Sequence, residues 1–172
     1  MTTLEIVAAA LIAGILSKMN RRHAALCFSF ALIYFGMGML FPNPGVFKSM
    51  GYAGWFAALA VWEACVIMAA WIIDTRASTY IALASTLNMM LDVVMGGAYH
   101  FCPNHYAHAL YMGLLPTYKA IIPGVEIGQV AILYLFSSVG IWIMRRAIRL
   151  AVRIGLMRRQ GPWNSRLTQT SG

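Results

Sequence analysis

The sequence predicts an all-α membrane protein, a polytopic bundle of about five transmembrane helices. Of its 172 residues, 60% are hydrophobic and 10% are charged, whereas soluble domains are about 45–50% apolar and about 25% charged. Several apolar segments approach the roughly 20 residues that a helix needs to cross a bilayer. Basic residues collect on one side of these segments. We expect a single transmembrane domain over residues 1–160, with a basic helical extension from residue 145, followed by a polar tail over 161–172.

The first two spans precede a pair of proline residues. Met1–Ser17 is apolar after Glu5, and the basic turn at 18–23 follows it, which is the reverse of a secretory signal. We interpret it as a short span with its N-terminus outside. Ala24–Phe41 is the second span, and Pro42 ends it because proline lacks the backbone donor. A four-span variant, with Met1–Ser17 lying on the membrane surface, stays open.

The two central spans are Tyr52–Ile73 and Ala77–Ala98, which the polar turn Asp74–Arg76 joins. Val46–Gly51 is predicted to be a short loop before them. Each central span is long enough to cross a bilayer as a helix. The pair therefore forms a predicted transmembrane hairpin.

The longest connection is Tyr99–Lys119, which we place at the membrane interface because prolines and glycines interrupt it. A short helix is predicted within it, over Asn104–Leu115. The last span then runs from about Pro123 to Met144. Its helical pattern continues into the basic extension.

Orientation follows from the positions of the 13 lysines and arginines. With the C-terminus inside, eleven of them lie on the inner side, and only Lys48 and Lys119 lie outside. Positive charge concentrates on the cytoplasmic side of membrane proteins. We therefore predict a multi-pass protein located in a bacterial inner membrane or in a viral membrane derived from it.

Polar side chains inside the spans form the first candidate site. A carboxylate at the centre of a bilayer costs about 3 kcal/mol or more to insert, so such residues usually pair or function. Two interpretations stay open: a site that carries protons or binds a cation, or hydrogen-bonded groups that set helix register. The predicted cluster consists of Glu63, Asn88, Asp92, Glu126 and Gln129.

Histidine and cysteine residues in the outer connection form the second candidate site. Imidazole and thiolate bind Zn or Cu, but the spacing of these residues matches no established zinc motif. Amphipathic cover of the interface is the alternative. The candidate ligands are His100, Cys102, His105 and His108.

Two further features indicate contacts with other molecules. Gly124 and Gly128 form a GxxxG pair, which lets helices approach closely, within the chain or between copies. Arg145, Arg149 and Arg153 recur every fourth residue and predict docking to anionic lipid or to an acidic protein surface. The aromatic interleaving typical of a nucleic-acid binder is missing, so no nucleic-acid partner is expected.

The function predicted from these features is non-enzymatic. The sequence contains no phosphate-binding glycine loop, no GxSxG and no HExxH, so we expect no enzyme activity and no cofactor. The leading hypothesis is an anchor or scaffold subunit in a homo- or hetero-oligomeric assembly, either a bacterial membrane complex or a viral membrane protein that holds an external protein. The alternatives are an oligomeric proton or cation transporter or channel, and an outward-facing metal-binding accessory protein.

Overall fold

A computed structural model describes residues 2–18, 20–40, 44–100 and 105–159, with side chains described except at 44–50, 52, 105–108 and 156–159. This part of the chain is a helical bundle without strands, as predicted. Its six helices are α1 Thr3–Ile15, α2 Arg21–Leu40, α3 Pro44–Ile73, α4 Arg76–His100, α5 His105–Leu135 and α6 Ser138–Arg159.

Four segments of these helices are long and apolar enough to cross a membrane. They lie in α2, α3, α4 and α5, and they are Arg21–Leu40, Ala53–Ile73, Arg76–His100 and Ala109–Leu135. The chain is therefore a multi-pass membrane protein by length and composition. The sequence predicted about five spans. The described residues contain four helices of spanning length, which is the number in the four-span variant.

The first helix, α1, is short and packs against the bundle. Its 13 residues extend about 20 Å, less than the roughly 30 Å hydrocarbon core. It runs antiparallel to α2: Thr3 lies beside Gly38, and Gly14 lies beside Phe28. Ile6 is 1% exposed whereas Leu4 is 72% exposed, so α1 packs against the bundle through one face and leaves its other face open.

The central hairpin has the predicted turn. α3 ends at Ile73, and Asp74 adopts a left-handed conformation with φ 46°, which aspartate tolerates better than most residues. Thr75 then caps the N-terminus of α4: the Ser78 N–H donates to the Thr75 hydroxyl (3.1 Å), and the Thr75 N–H donates to Ser78 Oγ (2.7 Å). Residues 46–50 of the predicted loop are instead helical and belong to the start of α3, which is kinked at the non-helical Gly51 (φ 65°).

The fifth helix corrects the predicted interfacial connection. α5 is continuous over His105–Leu135 and contains both Pro116 and Pro123. The two prolines are seven residues apart and both exposed, so they lie on one outer face, and prolines are tolerated in membrane helices where the freed groups are satisfied locally. The last span is therefore displaced toward the N-terminus, and Lys119 lies within it and not in an outer loop.

The sixth helix corrects the predicted end of the last span. The span ends at Leu135 and not near Met144, and a two-residue turn separates it from α6. The Ser137 hydroxyl donates to the Tyr134 carbonyl (2.6 Å) and accepts from the Gly140 N–H (3.1 Å). A Cβ on Gly140 would lie only 2.7 Å from the Leu135 carbonyl oxygen, so the chain turns sharply here. The basic extension is thus a separate helix.

The buried apolar core lies between α1, α2, α3, α4 and α5. Many large apolar side chains remain on the outside, and Trp71 and Ile72 at the end of α3 are 81% and 82% exposed. Lipid solvates such a surface, whereas water would not. The bundle therefore has the form of a membrane-embedded protein with an apolar exterior.

Candidate functional site

The interior of the bundle contains a set of polar side chains contributed by α2, α3, α4 and α5. Three separate groups of contacts join these helices. Each group includes at least one residue of the polar cluster predicted from the sequence. The best-buried residues of these three groups are Tyr34, Ser85, Asn88, Asp92 and Gln129, all 3% exposed or less.

The first group joins α3 to α4 through Glu63 and Asn88. Asn88 Nδ2 donates to Glu63 Oε1 at 3.0 Å. The other Glu63 oxygen, Oε2, is buried without a hydrogen-bond partner, and so is Asn88 Oδ1. When Glu63 is ionised, both of these oxygen atoms can only accept hydrogen bonds, and most buried acceptors in proteins have a donor.

The second group joins α4 to α5 through Asp92 and Tyr118. The Tyr118 hydroxyl donates to Asp92 Oδ1 at 2.6 Å. Phe56 of α3 contacts the Tyr118 ring edge-to-face, with centroids 5.6 Å apart. Asp92 thus has a fixed donor on a packed aromatic ring, and this geometry fits a structural contact between helices.

The third group joins α2, α5 and α4 through Gln129. The Tyr34 hydroxyl donates to Gln129 Oε1 (3.0 Å), and Gln129 Nε2 donates to Ser85 Oγ (2.8 Å). Gln129 is fully buried, so its amide links three helices at one point. Tyr34 and Ser85 also lie within electrostatic range of the Glu63 carboxyl, which places this group beside the first.

Glu126 is the least enclosed member of the predicted cluster. It is half-buried on α5 and lies within electrostatic range of Asp92. Within the described parts of the chain, no three His, Cys, Asp or Glu side chains are placed to hold a metal ion together. The acids therefore share one region of the bundle, but only Glu63 and Asn88 of the predicted cluster are directly bonded to each other.

The predicted metal ligands cannot be assembled from the described residues. Cys102 lies outside them, as do the side chains of His105 and His108, while His100 is exposed at the end of α4. Metal binding at these four positions stays a prediction.

The GxxxG pair lies on the outer surface of α5. A Cβ placed on Gly124 or on Gly128 would meet no atom of the described chain within 4 Å. The opposite face of the same helix is packed, with Gln129 and Leu133 both fully buried. Within the described residues, no helix of this chain makes a close contact at these glycines.

The predicted docking arginines lie on α6, outside the bundle. Arg145, Arg149 and Arg153 are exposed, as is Arg146, whose guanidinium lies 5.0 Å from the centroid of the Trp142 ring. Trp142, Arg146, Arg149 and Arg153, with Leu150, line an open cleft of about 430 Å³.

Several polar contacts were not predicted from the sequence. His23, assigned to the basic turn, is 1% exposed, and its Nε2 lies 2.8 Å from the Leu133 carbonyl oxygen. Trp62 Nε1 donates to the Ile33 carbonyl at 2.8 Å. Tyr118 was missed because the prolines around it predicted a loop. Only long-range packing identifies these partners, since none is a sequence neighbour.

Comparison with known proteins adds no family or relative. No protein-family description, no curated protein and no solved structure matches this chain.

Proposed function

We propose that this protein is a non-enzymatic anchor or scaffold subunit of a larger membrane assembly. The partner in this proposal is a transmembrane helix, from another subunit or from a second copy, that packs on the Gly124–Gly128 face of α5. The single observation that carries it is the open space above these two glycines, on a helix whose opposite face buries Gln129 and Leu133 in the bundle. Small residues at lipid-facing positions let a second backbone approach closely, and packing is a main source of helix association in lipid.

The secondary structure and the motif content of the chain also support the proposal. The described part is almost entirely helix, and the sequence contains no catalytic motif that we identified. The charge bias fits a bacterial inner membrane or a viral membrane derived from it. In either setting, the bundle would hold partners within the bilayer.

The test replaces both glycines by isoleucine in the full-length protein. Because an added Cβ meets no atom of the described residues, Gly124→Ile with Gly128→Ile should leave the bundle folded. We expect the protein extracted from native membranes in mild detergent to form one stoichiometric assembly by native mass spectrometry, and the double variant to lose it. Ala57→Ile, on the exposed face of α3, is the matched control and should retain it. A monomer in the wild type, or an unaffected double variant, would refute the proposal.

A second candidate function is supported by a different observation. Glu63 Oε2 and Asn88 Oδ1 are unsatisfied acceptors inside the bundle, and ionisable groups within membrane segments often mark proton or ion pathways. The second candidate is therefore proton or cation handling at the Glu63–Asn88 pair. An oligomer would supply the rest of a path across the membrane.

A further inference from the structure

The exterior helix α6 has two chemically distinct sides. At 100° per residue, Arg145, Arg146, Arg149 and Arg153 fall within a sector of about 100°, with Trp142 at its centre. The remaining sector between 141 and 154 is entirely apolar. It comprises Ile141, Ile143, Met144, Ala147, Ile148, Leu150, Ala151, Val152 and Ile154.

None of the other described helices covers the apolar side of α6. Ile148 is 58% exposed, Leu150 is 59% exposed and Ile154 is 57% exposed. The principal packing partner of α6 is α5, and it is reached through the turn at Ser137. A 22-residue helix with most of its apolar surface open needs an apolar environment along its length.

The position of α6 identifies that environment. α6 begins three residues after the spanning segment ends at Leu135, so its start lies at the membrane surface. Gly140 packs against the end of α5, and the Ser137 hydroxyl bonds both flanking segments. Because of this sharp turn, α6 does not continue along the axis of the spanning segment of α5.

We propose that α6 lies in the plane of the membrane and binds the surface of a bilayer that contains anionic phospholipid. Its apolar sector enters the acyl boundary, and its four clustered arginines bind headgroup phosphates. Trp142 lies among the arginines, and indole rings favour the interface. A soluble acidic protein would neutralise the arginines but leave the apolar sector in water. A bilayer satisfies both sides.

The test measures hydrogen–deuterium exchange of the full-length protein in nanodiscs of phosphatidylcholine, with or without about 30% phosphatidylglycerol. We expect amides 141–155 to exchange at least about tenfold more slowly in the anionic bilayer, because each arginine near such a surface adds to binding. Arg145→Gln with Arg149→Gln and Arg153→Gln should abolish this difference. Exchange in α4 is the internal check that the bundle remains folded.

The control removes three positive charges from the same predicted side of the membrane. Lys18→Gln with Arg22→Gln and Arg76→Gln should preserve the lipid-dependent protection of α6. The proposal is overturned by equal exchange in both bilayers, or by an equal loss of protection in the control. Protection that appears only when soluble proteins of the native cell are added would also overturn it, because the occupant would then be a protein.

Discussion

Glu63 of α3 and Asp92 of α4 lie on neighbouring helices of the bundle, but their carboxyl groups have different hydrogen-bond partners. Tyr118 donates to Asp92 at 2.6 Å from a ring that is itself packed. Glu63 receives one amide N–H from Asn88 and keeps one oxygen without a partner. Since an unmade buried hydrogen bond costs about 1–3 kcal/mol, the Glu63 site is the one where binding a proton or cation gains most.

This difference leads to a prediction for the second candidate function. Glu63→Gln removes the ionisable group, so any proton or cation flux in reconstituted liposomes should fall at least about tenfold, to the rate of empty vesicles. Asp92→Asn keeps an acceptor for Tyr118 and should retain most of the flux. Flux that is equal in wild-type, Glu63→Gln and empty liposomes would remove this candidate function.

At the residue scale, the sequence identified the polar positions but not their partners. Asn88 and Asp92 share a helix face at a spacing of four, which predicts that both face the bundle interior, and both are buried. The pairing of Glu63 with Asn88 depends on how α3 packs against α4. No local pattern encodes that register, so the contact was not predictable.

At the scale of elements, apolar length predicted α2, α4 and the spanning segment Ala53–Ile73 of α3 to within a few residues, because each is bounded by charged or turn-forming residues. α5 was misplaced because Pro116 and the other prolines and glycines of Tyr99–Lys119 were interpreted as interruptions, and the last span was started at Pro123. In water a proline interrupts a helix, but in a membrane bundle the helix continues, since unfolding the backbone in lipid costs more. The end of α5 was missed because apolar residues lie on both sides of the Ser137–Ser138 pair.

The turn between α5 and α6 yields a prediction at this scale. In Gly140→Ala, the added methyl would overlap the Tyr134 carbonyl oxygen, and such overpacking typically costs about 1–3 kcal/mol. We expect the turn to open and trypsin to cut at Arg145 and Arg146 several-fold faster in reconstituted protein.

Gly155 supplies the matched control for that prediction. It lies in the same helix, and an added Cβ would meet nothing within 4 Å. Gly155→Ala should therefore leave the cleavage rate unchanged or lower it, because alanine favours a helix by up to about 1 kcal/mol. Equal cleavage of both variants would show that the turn is not tight.

At the scale of the whole molecule, composition alone predicted the class, and the structure shows how the class is realised. Five helices pack into one bundle, with the short α1 buried against α2, and α6 extends beyond it. The orientation predicted from the sequence stays a prediction, and the shift of α5 changes one of its terms, because Lys119 now lies within a spanning segment. Lys48 is then the only lysine or arginine that this prediction places on the outer side.

The most direct test of this placement is labelling with a membrane-impermeant maleimide in intact cells. The three native cysteines are first replaced by alanine, and single cysteines are then introduced as Lys48→Cys, Arg76→Cys or Arg153→Cys. The account predicts that Lys48→Cys is labelled from outside, whereas Arg76→Cys and Arg153→Cys are labelled only after the cells are disrupted. Labelling of all three in intact cells, or of Arg153→Cys alone, would contradict it.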